Sequence, residues 1–114
     1  MDSCLFCKIA EGTIPSKKVL ESDSWLAFHD IAPQAPIHVL IIPKVHIASN
    51  NDIEENHQQL IGSLLVAAKR VANKLGVAEK GYRLVFNCGE HGGQAVSHLH
   101  LHLLAGRHLA WPPG

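Results

Sequence analysis

Seven residues near the end of the chain, "HLHLHLL" from His98 to Leu104, alternate imidazole with leucine at a strict period of two. That period belongs to a β-strand, whose successive side chains point to opposite faces. It places His98, His100 and His102 on one face and Leu99, Leu101 and Leu103 on the other. The leucine face calls for a covering layer, so the chain needs a sheet with something packed against it. With a rise of ~3.3 Å per residue, neighbouring histidines stand about 6.5–7 Å apart along the strand. That spacing is wide for two of them to chelate one metal from a flat strand. It suits a groove that holds a phosphate. The plain alternative is a half-buried strand with histidines on its solvent side, and three in one period on one face argue against it.

The rest of the chain supplies the sheet. Its 114 residues make one domain, 1–114, with room for one core. "SCLFCKIAEG" reads as a short helix capped by Ser3 and stopped by Gly12, and Pro15 blocks its continuation. "KKVLES" and "WLAFHD" read as two strands with a turn at Ser22–Ser24. "IAPQAP" is a loop, and "HVLIIP", His38 to Pro43, is a central strand. A long helix covers 51–76, with Asn51 and Asp52 as N-cap candidates, Glu54 and Glu55 at capping-box distance, and Gly76 just past its end. Leu60, Ile61, Leu64, Leu65, Ala68, Val71, Ala72 and Leu75 recur at its period. Tyr82–Gly89 is a fourth strand, "EHGGQAVS" a loop, and His98–Ala105 a fifth strand. Five strands and two helices without regular alternation imply an α+β fold, a five-stranded antiparallel sheet with one long and one short helix. The long helix covers one sheet face, and another element must finish the other.

Composition narrows the function. Ten basic and ten acidic residues give no net charge, which argues against a nucleic-acid or anionic-membrane partner but leaves room for one nucleotide in a local site. No apolar run approaches the roughly 20 residues of a membrane span. The opening "MDSCLFCKIAEG" lacks a basic stretch followed by an apolar one, so no signal peptide is expected. Three cysteines, Cys4, Cys7 and Cys88, make no disulfide framework and suit a reducing cytoplasm. Cys88 reads as buried filler. Before the histidine strand, Gly92 and Gly93 allow a backbone to approach an anion, and Asn87 adds an amide donor. Cys4-x-x-Cys7 has the spacing of half a zinc site, the alternative being two small apolar residues of a short helix.

The alternating triad resembles the signature of the histidine-triad (HIT) superfamily. "FHDIAPQAPIHVLIIPKVHI", "KGYRLVFN", "GGQAV" and the terminal "WPPG" fall in the order of its Hint branch, the histidine-triad nucleotide-binding proteins. The resemblance covers nearly the whole chain. It implies a homodimer whose two sheets join into one of ten strands. It also implies a purine nucleoside phosphoramidase, which binds nucleoside monophosphates and cleaves P–N bonds of adenosine 5′-phosphoramidates through a nucleotidyl-histidine. By that likeness His100 is the nucleophile. The main-chain carbonyl of His98 orients it, His102 holds a phosphate oxygen, and His38 packs beside the triad. Asn87, Gly93, Gln94 and Ala95 flank the phosphate. Asp30 accepts from the ribose hydroxyls, although an Asp here could also simply cap a turn. Leu5, Phe6, Ile9, Ile14, Phe28 and Ile31 match the base pocket. Zinc-binding relatives imply structural Zn2+ on Cys4, Cys7, His46 and His98. Trp111 lies in a tail that, by the same likeness, reaches the partner's site; a buried aromatic anchoring the C-terminus is the alternative.

One departure stands out. Ala95 occupies a position where many members carry serine, so a hydroxyl that could assist the phosphate or leaving group is missing. Two other readings remain at this point: a nucleotide- or zinc-binding interaction module, and a dinucleotide polyphosphate hydrolase. Three intact histidines and the Trp-Pro-Pro-Gly end lean towards the phosphoramidase.

Overall fold

The computed structural model describes residues 4–114, so Ser3 lies outside the described residues. Cys4 takes the capping role expected of Ser3: its Sγ accepts the Cys7 N–H, and it precedes α1, Leu5–Glu11. The strands are β1 (Lys18–Glu21), β2 (Trp25–His29), β3 (Ile37–Pro43), β4 (Tyr82–Phe86) and β5 (Leu101–Ala105). They form one antiparallel sheet in the order β1-β2-β3-β5-β4. The fold is α+β, as the sequence pattern implies.

Register explains the two faces. Ala27 lies opposite Ile41, and Val39 opposite Leu103, while Leu101 and Ala105 lie on the same side of β5. These residues, with Leu99 and Trp25, make a core with Leu64, Ala67, Ala68, Val71 and Ala72 of the long helix α2, Gln58–Lys74. The opposite face carries Leu26, Phe28, Leu40 and Ile42, and α1 covers it with Phe6 and Ile9. The short helix is therefore the element that finishes the second face. Each large side chain buried this way contributes about 1.5–3 kcal/mol.

Three boundaries differ from the sequence reading, each for a local reason. The long helix starts at Gln58 because residues 50–52 and 55–57 form two separate 3-10 turns. Ser49 caps the first by accepting the Asn51 N–H, and extended Ile53 interrupts the chain before the second. Asn51 and Asp52 therefore do not cap α2. In the second turn His57 Nδ1 accepts the Glu54 N–H at 2.9 Å. Leu65 faces outward despite its periodic position, while Ala67 turns in. The C-terminus of α2 ends as expected at Gly76, in a left-handed conformation, with Gly76 and Val77 N–H groups on the carbonyls of Asn73 and Ala72. The ladder of β4 stops at Phe86, and residues 89–92, read as loop, form a single helical turn, α3 (Gly89–Gly92).

β5 is shorter than expected: His98, Leu99 and His100 precede the regular ladder. The alternation nevertheless persists through them. Leu99 is buried with the α2 core, and His98 and His100 are buried on the α1 side.

Just past β5, Gly106 meets the loop before β3. Its φ is +97°, and a Cβ there would lie 2.8 Å from Pro36 Cβ. Gly106→Ala is expected to cost about 3 kcal/mol, from backbone strain plus that clash. A shift of the urea midpoint at constant m-value would show it.

Candidate active site

The site is built where the histidine face of β5 meets α1 and the end of β3. His100 Nδ1 lies 2.7 Å from the His98 carbonyl. A carbonyl only accepts, so Nδ1 carries the proton and Nε2 keeps its lone pair. Nothing among the described residues hydrogen-bonds that Nε2. It is also absent from the two side-chain polar atoms sealed from solvent without a partner, Ser16 Oγ and His102 Nε2, so it retains an open surface. Phe6 stands edge-on to the His100 ring at 5.1 Å and to Phe28 at 5.7 Å. The nucleophile candidate is thus a buried, oriented imidazole with Nδ1 engaged and Nε2 without a protein partner.

The rings crowd more than flat-strand spacing suggests. His100 and His102 centroids are 4.8 Å apart, because the side chains lean together above more widely spaced Cα atoms. His38 Nε2 is 2.9 Å from His102 Nδ1 and 3.5 Å from Asp30 Oδ2. Burial holds His38 and His102 below the ordinary imidazole range. The neighbouring His100 and His38 push His102 further, to about 4. Both rings are neutral at pH 7. The linkage has a definite sign: between pH 6.5 and about 4 the unfolded chain binds more protons than the folded one. Stability should therefore fall as pH drops through that window. Thermal unfolding from pH 7.5 to 4.5 should show a shallower pH slope for His102→Asn than for the parent. Equal slopes would contradict the burial account.

Beside the triad, Ile9, Phe28, Asp30 and Ile31 line a cleft of about 800 Å3. Of the six apolar residues expected in a base pocket, these include Ile9, Phe28 and Ile31. Phe6 instead walls in His100. Leu5 is largely exposed, and Ile14 packs at the edge of the α1 core. Ile31 is fully exposed on the cleft rim. Asp30 does cap a turn, with Oδ1 accepting the Ala32 N–H at 2.8 Å, yet its carboxylate also lines the cleft. Sequence reasoning missed Pro15, Ser16, Lys17, His29 and Pro33 in that wall. Ser16 Oγ, buried and unpartnered, had no signal beyond its place after Ile14-Pro15.

The glycine loop is less open than expected. Gly93 N–H binds the Glu90 carbonyl, and Gln94 N–H binds the Gly89 carbonyl, because α3 consumes both. The Gln94 side chain ties down the loop through Ala48, Val96 and Gly89. The Gly93 and Gln94 N–H groups are thus engaged within the turn itself. Among the described residues the Ala95 N–H remains uncommitted. Asn87 follows the last β4–β5 pair, Phe86–Leu101, as His100 precedes it. Cys88 is half-buried, contrary to the filler reading.

A second cluster lies behind the triad. Sγ of Cys4 and Cys7 and Nδ1 of His46 and His98 lie within 4.8 Å of one another. Individual separations are 3.2 Å between the two nitrogens and 3.3–3.5 Å from sulfur to nitrogen. Tetrahedral bonds of ~2.1 and ~2.3 Å place ligands about 3.3–3.8 Å apart, so the donor set fits a metal. His98 Nε2 donates to the Pro43 carbonyl at 2.8 Å, which turns the Nδ1 lone pair towards the cluster. Burial raises the Cys7 thiol to about 11, helped by the adjacent Cys4, so the Cys7 thiolate needs a nearby cation. Trp111 is 80% exposed and does not anchor the tail by burial. The tail is instead held by Arg83, which donates to the carbonyls of Leu109 and Ala110.

A histidine triad with His98 and His100 buried, beside a cleft that Asp30 lines, defines the class of protein, and comparison with known proteins agrees. The HIT domain family profile matches residues 11–109, and the chain belongs to that family. It is 46% identical over 108 residues to the purine nucleoside phosphoramidase of Escherichia coli K12, covering 95% of this chain and 91% of that protein. The crystal structure of a HIT family hydrolase from Legionella pneumophila Philadelphia 1 superposes with a TM-score of 0.96. The two are 55% identical, over 98% of this chain and all of that one. A histidine triad protein from Clostridium difficile gives 0.93 at 46% identity, over 96% and 95% of the two chains. No helix among the described residues is long and apolar enough to cross a membrane.

Proposed function

We propose that this chain is a hydrolase of purine nucleoside 5′-phosphoramidates. The observation that carries the reading is the His100 ring, with Nδ1–H bound to the His98 carbonyl and Nε2 left as an open lone pair. Identity to a named phosphoramidase supports it.

The steps follow from the residues. Asp30 holds the ribose hydroxyls at the mouth of the cleft, and the purine lies against Ile9, Phe28 and Ile31. The Nε2 lone pair of His100 attacks the α-phosphorus and forms a P–N bond. The bond to the substrate amine breaks, and the amine leaves with the electron pair and takes a proton from water. Water then adds to phosphorus, the bond to His100 breaks, and the pair returns to Nε2, releasing a nucleoside monophosphate. His102 Nε2–H, together with the Ala95 N–H and the Asn87 amide, bears on the phosphoryl oxygens.

The Cys4–Cys7–His46–His98 set would hold zinc, a closed Cys2His2 group that is structural because all four positions are filled by protein. When bound it ties α1 to the chain segments after β3 and before β5, and so fixes Phe6 against His100. The domain as a whole, 1–114, works as one unit and pairs with a second copy along β4, whose only strand partner among the described residues is β5. Leu84 on that strand is partly exposed, which suits an interface. Reduced thiols fit a cytoplasmic location.

Purified protein should release amine from adenosine 5′-phosphoramidate, and no turnover would contradict the reading. Ala95 is exposed, and Ala95→Ser should raise kcat/KM by about tenfold through a hydroxyl donor beside the leaving amine. Steady-state kinetics on the two proteins check it, and an unchanged rate removes any role for that hydroxyl.

A further inference from the structure

The loop between β2 and β3 touches His38 in a way the mechanism has not used. The Gln34 N–H donates to His38 Nδ1 at 3.0 Å. The Gln34 carbonyl accepts from the Arg107 guanidinium, also at 3.0 Å. Pro36 packs closely on Gly106. The two residues that follow β5 therefore clamp this loop from its far side.

An amide N–H can only donate, so His38 Nδ1 must offer a lone pair, and the proton of the neutral ring sits on Nε2. That Nε2–H faces two acceptors, His102 Nδ1 at 2.9 Å and Asp30 Oδ2 at 3.5 Å. The first is a full hydrogen bond and the second is at the limit of one. Donation to His102 Nδ1 leaves the His102 proton on Nε2, a buried atom with no protein partner. The reverse arrangement, His102 donating to His38, would press a second proton at His38 Nδ1 against the Gln34 N–H. Buried N–H groups without partners are rare, and this one stands in the row of the nucleophile.

We propose that the Gln34 main chain and Arg107 are positioning groups that set the tautomer of His38 and, through it, hold His102 as an Nε2–H donor towards a phosphoryl oxygen. The use of that donor rests on the phosphoramidase reading; the tautomer itself does not. His102 stays neutral near pH 7, so the choice of nitrogen is a real one. The same logic removes the Asp30–His38–His102 cluster as a metal site. Its three ligand atoms lie within 4.8 Å, but the protonated His38 Nε2 offers no lone pair.

Nitrogen-15 spectra of the histidine rings at pH 7.5 test this without substrate. In the parent protein both His38 and His102 should carry the proton on Nε2. Arg107→Met frees the loop and should bring a second His102 tautomer into view. It should also lower kcat for amine release several-fold with KM within about twofold, as loss of a transition-state contact requires. Arg107→Lys, which keeps a cation for the Gln34 carbonyl, should recover part of both. A parent His102 protonated on Nδ1 overturns the proposal. So does an Arg107→Met protein with parental spectra and kcat. Parental spectra as expected with no amine release leave the tautomer assignment standing and refute the phosphoramidase reading instead.

Discussion

His100→Ala should lower kcat for amine release from adenosine 5′-phosphoramidate by about 1,000-fold or more, the effect expected if the proposed nucleophile of a covalent mechanism is removed. KM changes far less, because Asp30 and the apolar cleft are untouched. The size of the effect follows from what the ring alone supplies. Its Nδ1–H is spent on the His98 carbonyl, its face is fixed by Phe6, and its Nε2 is the open nitrogen. No neighbour can substitute, since His98 has one nitrogen on Pro43 and the other in the cysteine cluster. His102 carries its proton on Nε2 and its Nδ1 accepts from His38, so neither nitrogen offers a free lone pair. Exogenous imidazole, which fits the vacated space, should restore part of the rate. A His100→Ala protein with more than a tenth of parental kcat would refute the assignment.

Cys4→Ser should remove bound zinc and with it much of the stability. The parent should contain about one zinc per chain by elemental analysis, and the variant almost none. Metal held at a thousandfold excess over its dissociation constant adds about 4 kcal/mol. For a chain of this size that is on the order of 15 °C in Tm. A chelator should carry the parent to the same Tm as the variant. The cluster explains why: with no cation, two nitrogen lone pairs and two thiols face one another at 3.2–3.5 Å. Parent protein without stoichiometric zinc would exclude the site.

Much of this fold was legible because its signals are periodic. The alternation from His98 to Leu104 assigned both faces of β5 correctly, although only Leu101–Ala105 pairs as a strand. The 3.6-residue recurrence found α2, and Gly76 marked its end. The start of α2 was not legible, because the polar run Asn50–His57 satisfies its own backbone in two short turns before the apolar stripe begins. Residue identity alone also left the backbone bonding of the glycine loop unread. Nothing in "HGGQAV" reveals that a helical turn would consume the Gly93 and Gln94 amides. The six apolar residues assigned to a base pocket could not be divided by sequence, because Phe6 and Phe28 look alike there, and only three of the six line the cleft. Only packing shows that one braces His100 and the other lines the cleft. The Gln34–His38 bond depends on a main-chain N–H and was invisible to any reading of side-chain types.

The central claim is that His100 carries the nucleotidyl group. Mixing enzyme with adenosine 5′-phosphoramidate, quenching in alkali within one turnover and mapping peptides by mass spectrometry tests it most directly. The account predicts one adenylyl group on His100, absent from His100→Ala and lost as the reaction proceeds to completion. An adenylyl group on another residue, or turnover with none at all, would contradict it.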